Sequence, residues 1–238
     1  MKTILQILLA IFCASGVSAQ TQIVVPGGLE NMEGNSSSAD LFINGEARML
    51  QVYPAFDFRT DAPQLRINGM SFRLDETAGV TLGSWSVSVF VSTTTRGPES
   101  LIPSYSGNHG SDGVLAVTGG GTGIVSMETG PGPRTFRLDI PFMTPFFYDP
   151  SQGNLAVSIV ASGRGSLRLD AQNASDDGIG RVFGPNEPNG TVDTLGLVTR
   201  FDITPIPEPA TLTLFLFLGG LWSFATRKIQ MFARNENQ

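Results

Sequence analysis

Residues 84–91 read Ser-Trp-Ser-Val-Ser-Val-Phe-Val, so that Trp85, Val87, Val89 and Val91 recur at every second position. In a β-strand successive side chains point to opposite faces, whereas an amphipathic α-helix needs apolar residues three and four positions apart. The stretch therefore predicts a strand with one face in a hydrophobic core and a largely serine-bearing face outside it.

The same period of two recurs on both sides of this stretch. The apolar positions that carry it are Leu65 and Ile67; Met70, Phe72 and Leu74; Phe136, Leu138 and Ile140; Leu155, Val157 and Ile159; Leu167 and Leu169; and Leu195, Leu197, Thr199, Phe201 and Ile203. The second set is out of phase with the first, and Gly69 at the slip is typical of a β-bulge or turn. Residues 191–203 are expected to form one last strand.

Glycine and proline interrupt these runs, at residues 97–98, 107–113, 119–123 and 130–133. The chain holds 28 Gly and 15 Pro in 238 residues, and no segment between the strands has a convincing amphipathic helical pattern. Many short alternating strands with glycine-rich turns predict an all-β fold, a β-sandwich of jelly-roll type.

Residues 1–19 have the three parts of a secretory signal peptide. Lys2 is the positive start, residues 4–12 are apolar, and Val17-Ser18-Ala19 is a small-x-small cleavage site. Cys13, the one cysteine, leaves with this segment, so the mature protein is expected to contain no disulfide.

The C-terminal end has the features of a membrane anchor. Ile206-Pro207-Glu208-Pro209 precedes an uncharged run over residues 210–226, and Arg227-Lys228 follows it. The run is long enough for one transmembrane helix, and the basic pair predicts that residues 229–238 form a short cytoplasmic tail. Residues 20–206 then form one exported domain, called the ectodomain below.

Pro207, Glu208 and Pro209, followed by a single span and then by Arg227 and Lys228, resemble the PEP-CTERM sorting signal. The resemblance implies a sorting protease of exosortase type as partner, which recognises and removes the tail. It also implies a membrane-anchored precursor, a final location at the cell surface or outside the cell, and an association with exopolysaccharide or extracellular matrix.

Short segments of the ectodomain are also similar to one group of PEP-CTERM proteins whose ectodomain has no assigned activity. These segments are Gln51-Val52-Tyr53, Phe72-Arg73, Ser92-Thr93-Thr94, Tyr148-Asp149-Pro150, Gly153-Asn154-Leu155, Arg181-Val182-Phe183 and Gly196-Leu197-Val198-Thr199. This resemblance implies no catalytic residues.

The charge of the ectodomain argues against nucleic acid as a partner. Its basic residues are 11 arginines without a lysine, against 19 aspartates and glutamates. Such a surface repels phosphate backbones.

Few residues suit catalysis. The single histidine, His109, lies in a loop of small residues and is expected to be solvated, and no G-x-S-x-G motif is present. Glycoside hydrolysis needs two carboxylates, but no local cluster singles out a pair. The candidates are Glu46, Asp75, Glu76, Glu128 and Asp139. We therefore expect a non-enzymatic protein, with a glycan-active hydrolase as the weaker alternative.

Residues 170–177 offer oxygen ligands that suit a calcium site formed by Asp170, Asp176 and Asp177. The EF-hand spacing is absent, and the turn chemistry of Asn and Asp explains the same residues without a cation. No other cofactor is expected.

Phe142, Phe146, Phe147 and Tyr148 cluster among prolines. They suit an aromatic platform on a loop, on which pyranose rings of a glycan would stack, or a rim packed under the edge of the sandwich. The sequence thus predicts an exported, non-enzymatic surface or matrix protein associated with exopolysaccharide, and alternatively a carbohydrate-binding module.

Overall fold

The computed structural model describes residues 20–42, 45–76, 83–122, 130–163 and 167–207. The chain divides into two units, residues 1–206 and residues 207–238. The expected signal peptide, the expected span over residues 210–226 and the expected tail lie outside the described residues. Within the described ranges, no helix is long and apolar enough to cross a membrane.

The described residues fold into β-strands joined by loops and three 3-10 helices. The strands are β1 (Thr21–Val25), β2 (Ser36–Ser38), β3 (Glu46–Tyr53), β4 (Gln64–Arg73), β5 (Ser84–Thr94), β6 (Val114–Thr122), β7 (Phe136–Tyr148), β8 (Asn154–Gly163), β9 (Leu169–Asn173), β10 (Gly180–Pro185), β11 (Thr191–Asp193), β12 (Leu195–Leu197) and β13 (Thr199–Ile206), and the 3-10 helices are Ala55–Phe58, Pro98–Ser100 and Ser106–Asn108. The all-β prediction is confirmed.

Two antiparallel sheets enclose the main core. One has the order β1-β13-β4-β7, and the other has the order β11-β10-β3-β8-β5-β6. On β5 the residues Val87, Val89 and Val91 are buried, while Ser86 and Ser88 lie on the opposite face, as the alternation predicts. The core also contains the alternating apolar residues of β3, β4, β7, β8 and β13, so the sheets pack as a β-sandwich.

The sequence predicts a β-bulge or a turn at Gly69, and the structure has the bulge. The register of β4 slips between Ile67 and Gly69 against β7, and β13 shows a matching shift between Asp202 and Ile203. A Cβ atom at Gly69 would lie 3.1 Å from the carbonyl oxygen of Ile140, closer than most real contacts. The bulge returns the apolar residues on both sides of it to the core.

The expected single strand over residues 191–203 is wrong. β11 joins the six-stranded sheet, β12 joins a three-stranded sheet of order β12-β9-β2, and β13 joins the four-stranded sheet. Val198 separates β12 from β13, and its N–H donates to the carbonyl of Asp170. Residues 196–199 are nevertheless all buried, and Phe201 and Ile203 stay buried beyond them. The spacing of apolar residues indicates which side chains are buried, but it does not indicate to which neighbouring strand the backbone is hydrogen-bonded.

A buried amide joins the three-stranded sheet to the six-stranded one. The side chain of Gln51 accepts a hydrogen bond from the Leu197 N–H at 2.8 Å and donates one to the Leu197 carbonyl at 3.0 Å. Next to it, the hydroxyls of Tyr53 and Thr199 lie 2.8 Å apart. The side chain of Gln51 thus supplies the donor and the acceptor that the backbone of a neighbouring strand would otherwise supply to Leu197.

A second, smaller core lies on the outer face of the six-stranded sheet. Tyr105, from the long connection between β5 and β6, is completely buried against Leu50, Val52, Ala156 and Val182. Its hydroxyl donates to the carbonyl of Arg48 at 3.0 Å. The central strands β10, β3 and β8 are therefore covered on both faces, which the sequence pattern did not indicate.

Replacing Gln51 by Met removes the acceptor of a buried N–H while keeping the volume of the side chain. We expect a loss of about 1–3 kcal/mol in the free energy of unfolding, because the Leu197 N–H is left without a partner. Urea titration of the full chain measures it, and Gln22→Met, at an exposed glutamine, is the control. Equal midpoints for the two variants would contradict this role of Gln51.

Candidate functional site

The four aromatic residues predicted as a platform lie on strand β7 and not on a loop. Phe142, Phe146 and Tyr148 are buried in the core, and Phe147 alone points outward with 64% of its surface exposed. β7 is the edge strand of its sheet, which is where prolines are tolerated in strands, because an N–H on the outer side has no strand to pair with. The structure therefore supports packing under the sandwich edge for three of the four residues.

Phe147 lines an open cleft with a volume of about 700 Å³. The cleft lies between the end of β5, the loop that precedes β6 and the turn between β7 and β8. Its other lining residues are Thr93, Thr94, Thr95, Arg96, Ser100, Gly107, His109, Gly110, Ser111, Asp112, Asp149 and Gln152. One exposed aromatic ring is thus surrounded by hydroxyl, carboxylate, amide and guanidinium groups.

Buried polar contacts fix the loop that forms one wall of the cleft. Asn108 is fully buried and donates to the carbonyls of Ile102 and Ser104 at 2.7 and 2.8 Å. The guanidinium of Arg96 donates to the carbonyls of Gly107 and Ser100 at 2.9 and 2.7 Å. The wall is preorganised because these hydrogen bonds fix the conformation of the loop without a ligand.

The two carboxylates of the cleft are held by backbone N–H groups. Asp112 Oδ1 accepts from Thr93 N at 2.9 Å, and Asp149 Oδ1 accepts from Ser151 N at 2.9 Å. The amide of Gln152 also donates to Asp149 Oδ2, at 3.3 Å. Hydrogen bonds from Ser151, side chain and backbone, hold the pKa of Asp149 below its ordinary value, so this carboxylate is ionised at neutral pH.

His109 anchors the loop to the sheet and is not the solvated histidine that the sequence suggested. Its Nδ1 lies 2.8 Å from Ser92 Oγ and its Nε2 lies 2.9 Å from Ser158 Oγ. The ring also contacts Phe90 edge to face, with 4.8 Å between centroids. Burial, followed by the nearby charge of Arg48, lowers the pKa of His109 to about 4, so the ring is neutral at pH 7.

The structure does not bring together the three aspartates predicted as calcium ligands. Asp170 lies buried in β9, Asp176 is exposed, and Asp177 Oδ1 accepts from Ile179 N at 2.9 Å, as in an Asx turn. Asp170 instead accepts from Arg73 Nε at 2.6 Å and from Gly34 N at 2.9 Å.

A different acidic group surrounds Asp170. Carboxylate oxygens of Glu33, Asp75 and Asp170 lie within 4.8 Å of one another, and among the described residues these are the ones that could hold a cation. Burial raises the pKa of Glu33, and the charge of Asp170 raises it further. Because the three residues are far apart in sequence, no local motif could have revealed this group.

The remaining candidates do not assemble into one site. Pro207 is exposed directly after β13, whereas Glu208, Pro209, Arg227 and Lys228 lie outside the described residues, as does Glu128 of the carboxylates considered for hydrolysis. Of the other carboxylates, Asp139 lies on β7 and pairs with Arg200 at 3.2 Å, and Asp75 belongs to the acidic group.

The chain matches no protein-family model and no curated protein.

Glu33→Gln tests the acidic group. The folded-state pKa of Glu33 lies above the ordinary 4.5, so the folded protein binds more protons and its stability falls as pH rises through this window. In EDTA at pH 7 we expect the variant to melt at a higher temperature than the wild type, because glutamine has no carboxylate charge to bury. Glu187→Gln, at an exposed glutamate, is the control.

The same variants test for a cation. If the group holds calcium, millimolar Ca²⁺ raises the melting temperature of the wild type, and Glu33→Gln loses that gain. A variant less stable than the wild type in EDTA at pH 7 would contradict the unfavourable environment assigned to the Glu33 carboxylate.

His109 can be followed directly, because it is the one histidine of the chain. Its imidazole NMR signals are expected to stay constant from pH 7 to 5 in the folded protein and to titrate near 6.5 in urea. Since the unfolded chain takes up the proton first, stability should fall as pH drops from 6.5 toward 4. His109→Gln should remove that fall, and a folded-state midpoint near 6.5 would refute the assignment.

Proposed function

We propose that this chain is an exported, non-enzymatic protein of the cell surface or extracellular matrix, sorted by its C-terminal signal and associated with exopolysaccharide. The observation that carries the proposal is the order of the tail: Pro207-Glu208-Pro209, an uncharged run over residues 210–226, and Arg227-Lys228. Combined with a signal peptide over residues 1–19, this order gives a precursor anchored by one C-terminal span.

The end of the fold agrees with removal of the tail by a protease of exosortase type. Strand β13 ends at Ile206, and Pro207, the next residue, is exposed. A cut at or just after Pro207 leaves every described strand intact. The ectodomain can therefore leave the membrane without losing any part of its sandwich, for which we propose jelly-roll connectivity.

The environment of His109 supports a non-enzymatic role. The two hydroxyls beside the ring belong to Ser92 and Ser158, whose exposed fractions are 0% and 3%. A nucleophilic serine must reach its substrate, and these two face the interior of a loop-to-sheet contact. The contact is better explained as an anchor for the wall of the cleft.

A carbohydrate-binding module is the second candidate. The observation that favours it is the exposed ring of Phe147 in a cleft of polar side chains, since glycan sites combine an aromatic face with hydrogen-bonding groups. This candidate is compatible with export, because a matrix protein needs a means of holding its polysaccharide.

The intact mass of the secreted protein tests the sorting proposal. From cells with the sorting protease we expect a mass that ends near Pro207–Pro209, and from cells without it a mass that retains residues 210–238. Glu208→Gln tests the signal itself and should reduce processing, while Glu187→Gln is the matched control. A mass that retains the tail in both cell types would mean a permanent single-span membrane protein and would contradict the matrix role.

A further inference from the structure

The exposed ring of Phe147 is rigidly presented. Its neighbours in sequence, Phe146 and Tyr148, are buried, and the hydroxyl of Tyr148 donates to the carbonyl of Gly153 at 2.7 Å. Tyr148 also packs edge to face on Phe58, with 5.3 Å between centroids. Little conformational entropy is therefore lost when a flat ligand covers the ring. The C–H face of a pyranose ring is such a ligand.

The polar groups around the ring accept more hydrogen bonds than they donate. The carboxylates of Asp112 and Asp149 offer about four acceptor sites each, only some of which are used within the protein. Sugar hydroxyls are donors that fit these sites, and bonds to a charged acceptor are the stronger kind. The Gln152 amide and the hydroxyls of Thr95 and Ser111 are also part of the lining.

The charges of the cleft discriminate among sugars. The cleft is lined by two carboxylates and one guanidinium, and the Nε and Nη1 groups of Arg96 already donate to backbone carbonyls. A uronate or a sulfated sugar would bring a further negative charge beside Asp112 and Asp149, in an ectodomain that is itself acidic. Like charges brought together in this way weaken binding.

We infer that the cleft is a binding site for neutral pyranose units of a glycan, which stack on Phe147 and donate hydroxyl hydrogen bonds to Asp112 and Asp149. Acidic sugars are rejected by the same two carboxylates. The inference rests on the proposed association with exopolysaccharide and deepens it by naming the class of sugar that the protein holds.

Binding is measured with the secreted protein on an array of neutral gluco-, galacto- and manno-oligosaccharides. The array also carries oligogalacturonate, both as the free acid and as its methyl ester. The last pair shares one backbone, and esterification removes the charge while adding only a methyl group to each residue. We expect saturable binding to neutral members and weaker binding to the free acid than to its ester.

Variants locate the site. Phe147→Ala should weaken binding about tenfold or more, whereas Met143→Ala, at an exposed residue of the same strand, should change it less than about twofold. The double variant Asp112→Asn, Asp149→Asn should reduce the preference for the ester over the acid. Melting curves of each variant show that the fold is kept.

Three results would overturn the inference: no saturable binding to any glycan, equal binding by Phe147→Ala and the wild type, or a preference for the free acid. The intact mass of the same samples separates this outcome from the sorting proposal. If the protein is correctly processed but binds no glycan, the inference about the cleft is refuted and the sorting proposal stands. If the protein keeps its tail but binds neutral glycans, the sorting proposal is refuted and the inference about the cleft stands.

Discussion

The buried pair of Arg73 and Asp170 is the interaction on which one end of the sandwich depends. Their side chains are 1% and 0% exposed, and they join β4 to β9. The guanidinium also donates to the carbonyls of Leu29 and Met32, and the carboxylate holds the Gly34 N–H. A buried ion pair repays its desolvation only when its other donors and acceptors are satisfied, and loss of one partner generally costs about 3–5 kcal/mol. The segment before β2 is held in place by these bonds.

The alternation of apolar residues was enough to predict the fold class, the buried face of β5 and the bulge at Gly69. It could not predict which strands pair, because periodicity describes side chains and pairing is made by the backbone. The division of residues 191–203 among three sheets is the clearest case. There residues 196–199 are buried without a break, while the hydrogen-bonding partner of the backbone changes at Val198.

The candidate site was predictable only in part. The even-numbered alternation of Leu138 and Ile140 continues to Phe142 and, after the exposed Thr144, resumes at Phe146 and Tyr148. Following it past the prolines would have placed these rings in the core and Phe147 outside. The carboxylates of the cleft could not be found in this way. The loop that carries Asp112 is positioned by contacts of His109 and Asn108 that no local pattern encodes.

Strand β13 gives the sandwich a mechanical property. It lies between β1 and β4, antiparallel to both, with Thr21 opposite Ile203 and Gln64 opposite Ile206. Hydrogen bonds in such ladders run perpendicular to the strands. A pull applied beyond Ile206, in the direction of β13, therefore loads both ladders in shear, so that many bonds share the force and none is peeled open first. A load on this end of the ectodomain is therefore met by two rows of bonds acting together.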